Sequence, residues 1–110
     1  MAIKVKVGRM DKRMTGHEYF QYYGKLIVAS GSPLMTDPIV ERLVLFTEIR
    51  NWCIDQWGMS CEMEIFRDLI RHNYKLNTVW CWYLNLDLFR YKFFFISEKE
   101  ALWFKLRWES

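Results

Sequence analysis

The sequence is short of the residues on which most small-protein chemistry depends. Its five glycines are scattered, so no Gly-rich loop is present to cradle a phosphate, and two prolines in 110 residues leave no Pro-rich linker. Two histidines fall in no His-Glu-x-x-His arrangement, and neither a nucleophile elbow nor a paired-carboxylate motif occurs. Three cysteines, Cys53, Cys61 and Cys81, are an odd number and include no Cys-x-x-Cys knuckle. With His72 they lack the spacing of a structural zinc site, and their apolar neighbours suit small buried hydrophobes. Neither metal nor other cofactor is therefore expected. The opening MAIKVKVGRM lacks the apolar core of a signal peptide, which points to reduced thiols in a cytoplasm. No apolar run reaches the roughly 20 residues that a membrane helix needs.

Aromatic side chains are what the chain has in surplus: six Trp, six Tyr and eight Phe. A length of 110 residues suits one domain with one core. Rings in this number imply a core of a few large side chains, an aromatic surface, or both. The net charge of +3 is a mild basic bias, below that of a dedicated sequence-blind DNA binder. Internal repeats and low-complexity segments are absent.

Periodicity divides the chain into elements. IKVKV at residues 3–7 alternates apolar and cationic residues, as a half-buried strand does. Thr15 and Glu18 have capping-box spacing, and Tyr19, Phe20, Tyr23, Leu26 and Ile27 continue at helical intervals, predicting a helix over 16–29. Asp37 then reads as the N-cap of a second helix over 38–57, with Pro38 at its first position and Gly58 as its stop. Ile39, Leu43, Phe46, Ile49 with Arg50, Cys53 and Trp57 trace one stripe along it. Val40, Val44, Leu45, Trp52 and Ile54 widen the apolar surface and predict burial on more than one side. Cys61, Met63 and Ile65 alternate with Glu62 and Glu64, predicting a strand over 60–66, followed by a loop or short helical turn over 67–78. Ser97 and Glu100 repeat the capping box ahead of a terminal helix ending near Trp108, with Ala101 and Phe104 on its core stripe.

Between these lies VWCWYLNLDLFRYKFFFI, residues 79–96. Arg90 and Lys92 interrupt its apolar residues, and Asn85 and Asp87 are turn formers, so two strands joined by a tight turn fit best. An even loop places Trp80, Trp82 and Leu84 on one face with Phe89, Tyr91, Phe93 and Phe95. Cys81, Tyr83, Arg90 and Lys92 then take the other face. An odd loop divides aromatics and cations between both faces, so burial favours the even register. The whole predicts a single α+β domain: an antiparallel sheet of three to four strands, with a long helix and two shorter helices packed on it. Trp52 and Phe104 are the expected core anchors.

Three segments, RMTGHEYFQYY (13–23), EIRNWCIDQWGMSCEMEIF (48–66) and FISEKEALWFKLRW (95–108), carry a resemblance. They resemble small accessory-region proteins of large tailed bacteriophages, over about half the chain. The resemblance implies a bacterial host cytoplasm and carries no catalytic motif. The segment 67–78 has no counterpart in it.

Two functional surfaces follow from the residues. Tyr83, Arg90, Lys92, Lys4 and Lys6 on one sheet face could stack bases and neutralise phosphates. Glu62 and Glu64 are expected on that same face, where cross-strand ion pairs would consume the cations. The surplus of Trp and Tyr points instead to a protein-binding surface. Trp103 and Trp108 lie about 140° apart on the terminal helix and cannot both face the core. With Tyr22 they are the candidate contacts to a host or phage protein, or to a second copy of the chain. His17 sits in the first turn of a predicted helix and His72 in a predicted loop, and helix neighbours such as His17 and Glu18 do not face each other. The expected function is thus a non-enzymatic phage accessory protein that inhibits or redirects host or defence machinery, with nucleic-acid binding as the alternative.

Overall fold

A computed structural model of the chain describes residues 3–28, 38–88 and 90–109. Seven elements follow in the order β1 (Ile3–Arg9), β2 (Tyr22–Val28), α1 (Pro38–Trp57), α2 (Met63–Arg71), β3 (Trp80–Asn85), β4 (Arg90–Phe95) and α3 (Glu98–Trp108). The four strands form one antiparallel sheet in the order β1-β2-β4-β3. The fold is therefore α+β with a single sheet, as the periodicity predicts. Expected positions that fall outside the described residues are the N-cap Asp37 and Phe89.

Two elements differ from expectation, each because a short local pattern yielded to long-range packing. The capping-box segment at 15–18 closes only turns, with Tyr19 N–H and Phe20 N–H donating to Gly16 C=O at 2.9 and 3.0 Å. Residues 22–28, expected to be helical, instead pair along β1 from Ile3↔Val28 to Arg9↔Tyr22. Gly24 marks the strand, because a Cβ there would lie 2.5 Å from Cε1 of Phe104 and keep α3 off the sheet.

The second difference is residues 63–71, which form a helix where a strand is expected. Glu62 caps it, its carboxylate accepting from Glu64 N–H at 2.8 Å. Met63, Phe66 and Ile70 line the inner face, while Ile65, expected to be buried, is exposed. Alternation over five residues is a weaker signal than the 63-66-70 spacing that packs on the sheet. Only Glu62 keeps a trace of strand, in one bridge to Trp82.

The long helix, the hairpin and the terminal helix form where the periodicity predicts them. β3 and β4 form a hairpin in the even register, Trp80↔Phe95, Trp82↔Phe93 and Leu84↔Tyr91, with Asn85↔Arg90 closing a four-residue connection. Gly58 ends α1 at φ +87°. Ser97 starts α3, but its hydroxyl donates to the Glu100 carboxylate at 2.8 Å and makes no bond to the helix backbone.

Because strand side chains alternate between faces, β4 organises two cores at once. Tyr91, Phe93 and Phe95 face α1 and α3, where Phe46 stacks on Phe93 at 4.7 Å and Phe104 lies 4.8 Å from Phe95. Phe94 faces the other way, joining Cys81 under Phe20, Met63 and Phe66. The sheet is thus covered fully on the α1/α3 side but only in part on the α2 side. On α1, Val40 and Val44 remain exposed, so that flank of the helix is not buried as the apolar run suggests.

Candidate functional site

The partly covered face of the sheet is a set of cross-strand rows. One row, Gly8–Tyr23–Phe94–Cys81, lies at the end of the sheet that carries the second core. The next row along is Lys6–Lys25–Lys92–Tyr83, each residue directly opposite the next. Three lysines on adjacent strands therefore stand side by side, ending on a tyrosine ring. Lys4 lies two residues along β1 and Arg90 two along β4, which puts both on this face.

Directly opposed like charges destabilise a sheet, and a neighbouring carboxylate normally relieves them. Among the described residues no carboxylate lies within 4.0 Å of Lys4, Lys6, Lys25, Arg90 or Lys92. Glu62 and Glu64 form no ion pair with these cations, because both belong to the start of α2 and not to a strand. Glu62 is occupied in capping. The strain registers on Lys92, whose ammonium is held below its ordinary value by burial first, then by Arg90 and Lys25.

Two recesses open beside this row and share Arg90 and Lys92. One, of about 240 Å³, has Phe94 and Met63 among its lining residues, with Tyr83 beside them and Arg13, Glu64, Arg90 and Lys92 contributing the charge. Tyr83 is held from behind, its hydroxyl accepting from Asn85 Nδ2 at 3.1 Å. The other, of about 350 Å³, lies between β2 and β4 beside Lys25 and Lys92, where the pairing of these strands ends. Of the five cations and rings proposed from sequence, Lys4, Lys6, Tyr83, Arg90 and Lys92, the structure brings all to one face. Lys25 and Arg13 were missed. A helical reading of 16–29 hides Lys25, whereas the alternation Tyr23-Lys25-Ile27 beside Gly24 would have revealed it.

The three aromatics proposed as protein contacts do not converge. Trp103 is 53% exposed, its indole N–H donating to Gln56 Oε1 at 2.9 Å. Trp108 packs edge-on to Trp52 at 6.1 Å with Arg107 over its ring, so it closes the core and is not left over from it. Tyr22 faces the α1/α3 side opposite Phe95 and lines a separate recess with Val7, Ala101 and Leu102. Leu102 and Leu106, not Trp108, flank Trp103 on the outer surface of α3.

His17 corrects a smaller expectation. Because 12–19 is turn and not helix, its ring does meet the Glu18 carboxylate, at 3.2 Å. His72 Nδ1 lies 2.8 Å from Asp68 C=O at the end of α2. The three thiols are free; burial raises all three, with Glu62 adding to the rise at Cys61 and both Cys61 and Glu62 adding at Cys81, which disfavours the thiolate. Among the described residues no helix is long and apolar enough to cross a membrane.

Comparison with protein-family models, curated proteins and solved structures returns no significant match.

Proposed function

We propose that this is a non-enzymatic binding protein whose open sheet face holds the backbone of a single-stranded nucleic acid. One observation carries the reading: the lysine row Lys6–Lys25–Lys92, set in register without a carboxylate among the described residues to neutralise it. A fold that concentrates like charge at a cost in stability has a polyanion as its natural complement. The row spans two strand spacings, about 10 Å, enough to follow successive phosphates. Tyr83 at its end and Tyr23 in the adjoining row supply rings on which unpaired bases stack. A duplex is the poorer fit, because groove reading needs a protruding helix or ribbon and this face lies below α2. The resemblance to phage accessory-region proteins supports an infected bacterial cytoplasm as the setting.

Titration of labelled single strands at two salt concentrations tests the reading. Three to five phosphate contacts predict a slope of log affinity on log salt of about −2 to −3.5. Absence of salt-dependent binding to RNA and DNA strands alike refutes it.

A second reading rests on α3, where Leu102, Trp103 and Leu106 are 52%, 53% and 74% exposed on one helix surface. Such a stripe suits a host or phage protein whose activity the chain would inhibit. Affinity capture from nuclease-treated bacterial lysate, with Trp103→Ala beside the parent, tests it. A protein that is retained by the parent and lost by the variant supports this reading; equal capture by both refutes it.

A further inference from the structure

The recess at the Tyr83 end of the lysine row differs chemically from the row itself. Its charge is mixed: Glu64 brings a carboxylate to a rim that otherwise carries Arg13, Arg90 and Lys92. Phe94 and Met63 are among its lining residues, and both are almost wholly buried. The volume of about 240 Å³ is below the roughly 300–1,000 Å³ of sites for drug-sized ligands. It suits one planar ring system and not a whole nucleotide, with the sugar and phosphate left outside on the lysines.

Glu64 then decides which ring. A carboxylate only accepts, through two oxygens side by side. Guanine alone among the four bases presents two adjacent donors on its Watson–Crick edge, N1–H and the N2 amino group. Adenine and cytosine offer one amino group beside an acceptor nitrogen, and uracil one N–H between two acceptor oxygens. Guanine O6 and N7 are also the preferred acceptors for arginine and lysine, which the recess provides as Arg90, Lys92 and Arg13. The backbone of Glu64 is fixed in the first turn of α2, where its N–H donates to the Glu62 cap.

Resting on the reading of the open face as a nucleic-acid surface, we propose that this recess seats one guanine of the bound strand. Tyr83 stacks on the base, Glu64 accepts from N1–H and N2–H, and the Arg90/Lys92 side donates to O6 and N7.

The test is fluorescence anisotropy on eight-nucleotide strands, oligouridine and oligothymidine, each carrying G, A, C or the host base at one central position. The expected result is about tenfold tighter binding of the guanine strand in either sugar series. In Glu64→Gln the amide presents a donor where guanine also presents one, so the ratio of guanine to host-base affinity should fall several-fold, with the Arg90 and Lys92 contacts to O6 and N7 keeping the remainder. The ratio within each protein is the readout, which makes it independent of any change in overall affinity. Circular dichroism confirms that the variant is folded. Equal affinities for all four bases overturn the guanine seat while leaving the cationic row as a backbone site. A guanine preference undiminished in Glu64→Gln also overturns the seat. No salt-dependent binding of any strand overturns both the seat and the reading beneath it.

Discussion

Replacing Lys25 with Gln probes the cationic row at its centre, and stability and binding should move in opposite directions. Lys25 stands opposite Lys6 on one side and Lys92 on the other, so the change removes two like-charge pairs and keeps most of the aliphatic stem. Cross-strand pairs are worth about 0.2–1 kcal/mol each, with the destabilising sign for like charges. Lys6 is exposed and Lys92 only half-buried, so solvent screening puts both pairs in the lower half of that range. Their removal gains somewhat under 1 kcal/mol in total. One contact is lost: Lys25 Nζ lies 5.9 Å from the Tyr23 ring centroid, at the outer limit of a cation–π interaction, so only part of its usual ~0.5 kcal/mol applies. The net effect is stabilisation by about 0.5 kcal/mol, or ~2 °C in Tm for a domain of this size. The gain should vanish near 1 M salt, where the Debye length of about 3 Å is shorter than the strand spacing of about 4.8 Å. In strand binding the same variant loses one phosphate contact, and its salt slope should become shallower by about 0.7. Thermal unfolding at low and high salt, paired with anisotropy titrations, reads both effects. A variant less stable than the parent at low salt would show that the row is not strained. An unchanged salt slope would show that Lys25 touches no phosphate.

Phe104→Ala should cost about 3–5 kcal/mol by chemical denaturation, because the ring is wholly buried against Phe93 and Phe95. Trp52→Ala should cost less, since Trp52 is only partly buried at the margin of the same core. Gly24→Ala forces a methyl to 2.5 Å from that same Phe104 ring, and the overpacking should cost about 1–3 kcal/mol in a urea titration. Lys92 predicts a pH dependence. Its folded value lies below the ordinary 10.5, so the unfolded chain holds this proton more tightly. The penalty is complete below the lowered value and is relieved as pH rises through it towards 10.5. The parent's stability should therefore rise relative to Lys92→Met over that interval, and a flat difference in denaturation midpoints would count against the crowding.

What the sequence determined by itself was every element whose pattern is long or doubly constrained. α1 combines a core stripe over some twenty residues with a glycine stop, and tertiary contacts had no competing pattern to favour. The β3–β4 hairpin was legible to its register, because only an even loop gathers Trp80, Trp82, Tyr91, Phe93 and Phe95 on one face and leaves Arg90 and Lys92 on the other. That register placed most of the candidate site before any strand order was known. Tertiary structure alone decided the short ambiguous stretches. Residues 22–28 satisfy helical and strand spacing equally, and pairing with both β1 and β4 settled them as a strand. Residues 63–71 became a helix because Met63 and Phe66 could cover Cys81 and Phe94 only at helical spacing. Both outcomes bear on function. Making 22–28 a strand inserts Lys25 between Lys6 and Lys92 and turns separate cations into a row. Making 63–71 a helix withdraws Glu62 and Glu64 from the sheet, so that among the described residues no carboxylate pairs with that row, and sets Glu64 in the recess at its end. Charge placement of this kind depends on which strands become neighbours, a long-range choice that no local window of sequence contains.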